Sequence, residues 1–214
     1  LDRIDVAAFK NPVARQLPRE VLGTNIEPNS ESDYVVDFTT HVLTCGSDGA
    51  KMKKLTESTG RLGIEPHNVI NGKWQGSDMT GPGGGQKIVD LKSYIERAKL
   101  PDSDVILFTD AYDVFYGRDL ETILGRFLGY KREVVFSAEK HCWPDVRLRF
   151  PPTHTIYRYL NSGTFIGRVG EIKRMLDFPI TKSEDDQLYL QKQFLTGKYD
   201  AVLDVEGYIF LTHE

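Results

Sequence analysis

The sequence is poor in cysteine and has little excess charge of either sign. Only two of its 214 residues are cysteine, Cys45 and Cys142, and their separation does not match the ligand spacing of a zinc site. With a single pair, the redox compartment of the protein stays open. The 27 basic and 31 acidic residues leave a formal net charge of −4. Such a small charge does not favour a nucleic acid or an acidic membrane surface as a partner.

Long apolar runs, internal repeats and low-complexity segments are also missing. No apolar run approaches the roughly 18 residues that a transmembrane helix needs. The first twenty residues lack the apolar stretch and the cleavage site of a signal peptide. Either the protein is cytosolic, or this chain is the mature part or another piece of a longer protein. With 40% hydrophobic residues, the chain can bury one sizeable core.

The order of apolar patterns along the chain predicts an α/β fold. Residues 1–32 are polar, contain prolines and are expected to form an irregular lead-in, whereas residues 33–214 alternate between strand-like and helix-like segments. Such alternation is typical of a mostly parallel sheet with helices on both faces. The predicted strands are 34–46, 67–71, 105–108, 133–139, 159–167, 201–205 and 208–211. The predicted helices are 47–63, 86–100, 118–131 and 183–195, with Gly129 closing the third and Ser183 as the N-cap of the fourth.

Two carboxylates follow the most apolar of these strands, in the segment VILFTDAYDVFYG. In a parallel sheet, ligands bind outside the carboxyl ends of the strands, so Asp110, Tyr112 and Asp113 are expected on the ligand side. Carboxylates three positions apart at such a corner can converge on one Mg²⁺ or Mn²⁺ ion and leave positions open for a substrate diphosphate. The simpler alternative is an Asx-turn, in which the aspartates cap local backbone N–H groups. A haloacid-dehalogenase phosphatase is disfavoured, because its second aspartate would stand where Tyr112 is.

A glycine-rich stretch, GKWQGSDMTGPGGGQK, leads into the helix predicted to begin at Gln86. Backbone amides exposed at a helix N-terminus form a natural anion site. Lys87 lies in the first turn, where a positive charge opposes the helix dipole unless an anion lies beside it. A phosphate site is one hypothesis, and a mobile loop without a ligand is the other. Trp74 in this stretch is either part of a lid or a packed anchor.

Further polar residues follow apolar segments elsewhere in the chain. The helix start SEDDQLYL carries more acids than capping requires, but negative charge in a first turn is stabilising without any catalytic role. Glu139, His141 and Trp143 follow one predicted strand, and Asn161 lies within another. A lone histidine is more often structural than a ligand, and no Ser-His-Asp order or zinc spacing is present.

Taken together, five of these segments resemble one family. GGGQK, ILFTDAYDV, FSAEKHCWP, YLNSGTFIG and EDDQLYL occur in the same order and at compatible spacing in the N-terminal glycosyltransferase domain of the procollagen lysyl hydroxylases, over roughly residues 35–210. The resemblance implies a GT-A-like (Rossmann-like) fold with a mixed, mostly parallel sheet. It also implies a retaining transfer of a sugar from a UDP-sugar to collagen hydroxylysine or galactosyl-hydroxylysine, with Mn²⁺ (or Mg²⁺). UDP-glucose is favoured as the donor, and UDP-galactose stays open.

The resemblance also implies roles for individual residues. The metal ligands would be Asp110 and Asp113. The UDP-sugar would be bound by Tyr112 stacked on uracil, by Lys87 at the diphosphate, and by Thr44 and Trp74. The residues near the donor sugar and the acceptor would be Asp185, Asp186, Glu139 and Asn161. Asp185 or Asp186 would orient the acceptor or stabilise positive charge at the anomeric carbon.

Two features of the family are not found in this sequence. The histidine that completes the family's metal site lies in a His-Gly-Asn-Gly run, whereas this chain ends in YIFLTHE, where His213 is the nearest candidate. The third ligand is therefore His213 or lies outside this chain. The family's hydroxylase domain is not among these 214 residues. A catalytically degenerate binding module is the alternative function, and the resemblance implies the endoplasmic reticulum lumen or secretory pathway as the compartment.

Overall fold

The computed structural model describes residues 38–75 and 83–213, which form a three-layer α/β fold. The predicted lead-in at 1–32 lies outside the described residues, so its boundary with the domain stays a prediction. The strands are β1 (Thr40–Cys45), β2 (His67–Asn68), β3 (Val105–Asp110), β4 (Val134–Glu139), β5 (Tyr159–Arg168) and β6 (Ala201–Asp204). The helices are α1 (Lys53–Arg61), α2 (Gly85–Ala98), α3 (Leu120–Tyr130), α4 (Val169–Met175) and α5 (Asp186–Leu195).

The six strands form one mixed sheet in the order β2-β1-β3-β5-β4-β6. β1 pairs in parallel with β2 and β3, β4 pairs in parallel with β6, and β5 runs antiparallel to both of its neighbours. The predicted α/β fold with a mostly parallel sheet is therefore confirmed. Because only β5 is reversed, the carboxyl ends of the other five strands lie at one edge of the sheet, where ligands bind in folds of this class.

Helices cover both faces of the sheet, which explains the continuous apolar run of β3. Ile106 and Phe108 pack on the face covered by α2, α4 and α5, whereas Leu107 packs on the face covered by α1 and α3. Each fully buried phenylalanine contributes about 2 kcal/mol to the stability of the fold. Of the helices within residues 38–75 and 83–213, none is both long and apolar enough to span a membrane.

The start of α5 differs from the sequence prediction. The helix begins at Asp186, and the carboxylate of Asp185 caps it by accepting a hydrogen bond from the Leu188 N–H at 2.6 Å. The prediction of Ser183 as the N-cap is therefore wrong. Residues 181–184 instead form a turn of their own, closed by a 3.2 Å backbone hydrogen bond from the last residue to the first.

Helices α1 and α3 also differ at their ends from the predicted bounds. Before α1, the Asp48 side chain accepts hydrogen bonds from the N–H groups of Ala50 and Lys51, at 3.0 and 3.3 Å, so a local turn replaces the first predicted helical residues. α3 does not stop at Gly129. It continues for one more residue and closes where Lys131 takes a left-handed conformation with φ 51°.

The strand predicted at 208–211 is wrong, because the chain after β6 wraps around one carboxylate. Asp204 ends β6 and is buried. It accepts hydrogen bonds from the N–H groups of Tyr208, Ile209 and Phe210, at 2.9, 2.6 and 2.7 Å. N–H groups bonded in this way cannot join a sheet ladder.

Candidate active site

The predicted site residues collect at the edge of the sheet where the parallel strands end. Asp110 and Glu139 are the last residues of β3 and β4. α5 starts beside this edge because the segment before it pairs with the glycines that precede α2, through a bridge between Gly84 and Asp185. The sheet, α2 and α5 therefore supply the site jointly.

A cluster of ion pairs lies at the centre of this edge. The ammonium nitrogen of Lys87, in α2, lies 2.7 Å from Asp110 Oδ1 and 2.8 Å from Asp186 Oδ2. Burial raises the pKa of Asp110 to about 6, and Lys87 acts in the opposite direction. Burial opposes the charge on Lys87, but the two carboxylates outweigh it and raise the lysine pKa above its ordinary value. A charged lysine thus links the end of β3 to the start of α5.

The glycines before α2 are needed for close packing against the segment before α5. Gly84 has φ 92°, and a β-carbon there would lie 2.2 Å from Asp186 Oδ1. A β-carbon at Gly85 would lie 2.1 Å from the carbonyl oxygen of Thr181. The N–H groups of Gly85 and Gln86 donate to carbonyls of the same segment, at 2.8 and 3.1 Å. These two amides are already bonded, so the contact between two backbones explains the glycines without a bound anion.

Asp113 and Tyr112 lie in the loop that follows β3. Asp113 is exposed, and its charge contributes to the raised pKa of Asp110, after larger contributions from burial and other groups. The hydroxyl of Tyr112 accepts hydrogen bonds from the N–H groups of Ser47 and Asp48, at 2.9 and 3.2 Å. The loop after β1 therefore fixes the tyrosine ring at the rim of the sheet.

Asp110 and Asp113 have the carboxylate oxygens that a hard divalent cation prefers, one at the end of β3 and the other in the loop after it. Within residues 38–75 and 83–213, however, no group of three or more His, Cys, Asp or Glu side chains is placed to hold a metal ion. His213 is thus not brought to these two aspartates as a third ligand. Two protein ligands would leave most of the coordination sphere to substrate and solvent.

Glu139 and Asn161 are connected by a polar network that also contains Gln187. The two carboxylate oxygens of Glu139 accept hydrogen bonds from the side-chain amides of Asn161 (3.0 Å) and Gln187 (2.6 Å). Gln187 also donates to the Trp143 carbonyl (2.7 Å) and accepts from the Ser162 N–H (3.2 Å). Sequence reasoning missed Gln187, whose one available signal was its position directly after the acids at the start of α5.

Trp74 is anchored against the core rather than exposed. Its side chain packs on the face of the sheet that α2 covers. The side chain of Gln86 accepts a hydrogen bond from the backbone N–H that follows the tryptophan (2.5 Å), and Asp90 accepts one from the Asn71 N–H (3.0 Å). The remainder of the glycine-rich loop, 76–82, lies outside the described residues, so its role as a lid stays a prediction.

Thr44 is the remaining predicted nucleotide contact. It stands one residue before the end of β1, opposite Thr109 in the sheet. Its side chain is buried, and its hydroxyl has no hydrogen-bond partner among the described residues. Buried hydroxyls are usually paired, and a contact of this one with a nucleotide stays a prediction.

Comparison with known proteins places the chain in a family. A family model described as the PLOD GT domain matches residues 39–212. The procollagen-lysine,2-oxoglutarate 5-dioxygenase of Drosophila melanogaster is 40% identical over 145 residues, which cover 64% of this chain and 20% of that protein. The multifunctional procollagen lysine hydroxylase and glycosyltransferase of Caenorhabditis elegans is 36% identical over 172 residues, or 77% of this chain and 23% of that protein. The chain thus spans between a fifth and a quarter of the length of these relatives, and it belongs to the PLOD family of glycosyltransferase (GT) domains.

Proposed function

We propose that this chain is a metal-dependent glycosyltransferase that moves a hexose from a UDP-sugar to collagen hydroxylysine or galactosyl-hydroxylysine. Membership of the PLOD GT domain family and the glycosyltransferase activity for which the Caenorhabditis elegans relative is named support the reaction class. The observation that carries the proposal is the hydrogen bonding of the Asp110 carboxylate. Among the described residues, its carboxylate accepts a hydrogen bond from a lysine and none from a backbone N–H, so the alternative of a local Asx-turn is disfavoured.

In this proposal, Asp110 and Asp113 hold Mn²⁺ or Mg²⁺, and Tyr112 stacks on the uracil ring. When bound, the cation would neutralise the negative charge that develops on the leaving UDP. The protein then needs no general acid at the leaving group. The proton of the acceptor hydroxyl goes to a protein carboxylate or to a phosphate oxygen of the donor.

The two acids at the start of α5 are suited to different tasks. Asp185 accepts hydrogen bonds from the N–H groups of Leu188 (2.6 Å) and Gly83 (3.4 Å), which is the work of a helix cap. Asp186 instead pairs with Lys87 at the centre of the site. We therefore assign Asp186 to orient the acceptor or to stabilise positive charge at the anomeric carbon, with Glu139 and Asn161 lining the same pocket.

The donor, the stereochemistry and the compartment are further parts of this proposal. The family resemblance favours UDP-glucose over UDP-galactose, a retaining reaction, and the secretory pathway or endoplasmic reticulum lumen as the place of action. A panel of the two UDP-sugars, followed by determination of the anomeric configuration of the product, tests the first two points. Release of UDP with UDP-galactose alone would reassign the donor.

The experiment that tests the metal site is isothermal titration with UDP, with and without Mn²⁺. Wild-type protein is expected to bind UDP in a Mn²⁺-dependent manner, and Asp113→Ala to lose that dependence, because one of two protein carboxylates is gone. The matched control is Asp177→Ala, an exposed acid that forms an ion pair with Lys92 at 3.5 Å and is not among the predicted site residues. Equal UDP affinity with and without Mn²⁺ in the wild type would refute the site.

A catalytically degenerate binding module is the second candidate. The observation in its favour is that no described set of three metal-ligating side chains converges at the site. The two functions differ in slow hydrolysis of the UDP-sugar without acceptor, which a transferase shows and a binding module does not. A UDP-release assay on deglucosylated collagen peptide then separates them fully.

A further inference from the structure

The side chain of Lys87 is largely buried, unlike that of a substrate-binding lysine on a protein surface. Its side chain is only 12% exposed, and its nitrogen contacts Asp110 and Asp186 at 2.7 and 2.8 Å. The backbone of Gly84 lies over it, since a β-carbon at that glycine would come within 3.2 Å of the lysine Cε. The ammonium group therefore donates one hydrogen bond to Asp110 and forms an ion pair with the second carboxylate inside the protein.

The two carboxylates depend on this lysine for their charge balance. Asp186 is 8% exposed and Asp110 is 26% exposed, and the ion pairs that they form within the described residues both go to Lys87. A buried charge whose partner is removed is strongly destabilising, because the remaining charge has neither water nor a counter-ion. Lys87 comes from α2, whereas its partners come from β3 and α5, so one ammonium group joins three elements.

We propose that Lys87 is a positioning residue that holds the carboxylates of Asp110 and Asp186 in the site, rather than a direct contact of the diphosphate. One positive charge between two negative charges also leaves the cluster with a net negative charge, which a divalent cation can neutralise. The catalytic and metal-binding roles of Asp110 and Asp186 rest on the proposed function. The ion-pair cluster itself does not, and it can be tested without substrate or metal.

Thermal unfolding in EDTA tests the proposal first. Lys87→Met keeps an unbranched side chain up to the position of Cε and removes the charged nitrogen, and we expect its melting temperature to fall by about 10 °C. Lys92→Met is the matched control on the same helix, because the Lys92 side chain is 39% exposed and its ion pair with Asp177 is 3.5 Å long. We expect the control to shift by less than about 2 °C. An unchanged melting temperature for Lys87→Met would overturn the proposal.

A double-mutant cycle keeps the test decisive if the single variant is too unstable to purify. Asp186→Asn removes one of the two carboxylates that Lys87 neutralises. The loss for Lys87→Met combined with Asp186→Asn is expected to be smaller than the sum of the two single losses, because fewer unpaired charges remain buried. If Lys87→Met does not fold, recovery of folded protein in the double variant supports a stabilising ion pair between Lys87 and Asp186. Additive losses, or no recovery, would contradict it.

Kinetics of Lys87→Arg separate positioning from contact with the substrate. The arginine restores the charge, so the melting temperature is expected to return to within a few degrees of wild type. The guanidinium group of arginine differs in shape from an ammonium group, so it would hold the two carboxylates in altered positions. A positioning role therefore predicts that kcat falls at least tenfold, whereas KM for the UDP-sugar changes less than about threefold. A raised KM at unchanged kcat would show a diphosphate contact instead. Absence of Mn²⁺-dependent UDP binding in the wild type would refute the proposed function and leave the unfolding results standing.

Discussion

Two strands of the sheet end in an aspartate at the same edge, and the two carboxylates accept hydrogen bonds from different kinds of donor. Asp204, at the end of β6, accepts the Tyr130 hydroxyl at 2.5 Å and three backbone N–H groups at 2.6 to 2.9 Å. Asp110, at the end of β3, is bonded among the described residues to Lys87 alone. Its second oxygen, Oδ2, lies beside Gly163, where a β-carbon would be 3.2 Å away.

The difference separates a structural acid from a candidate metal ligand. Four hydrogen bonds saturate the acceptor sites of Asp204, and they fold the last described residues against the sheet. Asp110 keeps an oxygen next to a glycine, in a space that a side chain would fill. The same residue type at the end of a strand is therefore fully hydrogen-bonded in β6, whereas in β3 it is hydrogen-bonded among the described residues to Lys87 alone.

Replacing each aspartate with asparagine, which removes its charge, tests this difference most directly. Asp110→Asn is expected to weaken Mn²⁺-dependent UDP binding on the order of 100-fold with little loss of stability, because the amide oxygen can still accept from Lys87. Asp204→Asn is expected to leave UDP affinity unchanged and to lower the free energy of unfolding by roughly 3 kcal/mol, because an amide group replaces an acceptor facing N–H donors. Titration calorimetry and urea denaturation measure the two effects. If both variants lost mainly stability, Asp110 would be structural as well.

A third carboxylate at this edge, Glu139 at the end of β4, accepts hydrogen bonds from the side-chain amides of Asn161 and Gln187. Gln187→Leu keeps the bulk of the side chain and removes the hydrogen bonds to Glu139, Ser162 and Trp143. We expect kcat for sugar transfer to fall about tenfold, since the carboxylate loses one of the amides that orient it. Gln193→Leu, on the same helix, is the control and should retain full activity. Equal activity of the two variants would make the network structural only.

A helix cap offers the mildest test, because α3 supplies none of the predicted site residues. Asp119 precedes α3 and accepts a hydrogen bond from the Thr122 N–H at 2.8 Å. Asp119→Ala should lower the melting temperature by about 2–4 °C, with sugar transfer unchanged, because one N–H at the helix start loses its acceptor. Asp119→Asn can still cap and should stay close to wild type. A loss of activity in the alanine variant would show that the site responds to general loss of stability.

The fold could be predicted from sequence, and a candidate site could be proposed at one edge of the sheet, because both rest on local patterns. The apolar run of β3, the alternation of helices and strands, and the acids after Phe108 are all visible within short windows. The contacts of Lys87 and Gln187 are not visible in this way, since their partners come from segments far along the chain. The false strand at 208–211 has the same cause: its residues favour a strand, but the carboxylate of Asp204 captures their N–H groups.

The backbone contact between the glycines before α2 and the segment before α5 also bears on the order of events during synthesis. The hydrogen bond from the Gly83 N–H to Asp185 joins positions 102 residues apart. Contacts of such long range form late, because the intervening chain must first be ordered. A ribosome-bound nascent chain that ends before α5 would have much of the sheet but not the segment that contacts these glycines. We therefore expect binding of the proposed donor to emerge only after α5 has left the exit tunnel.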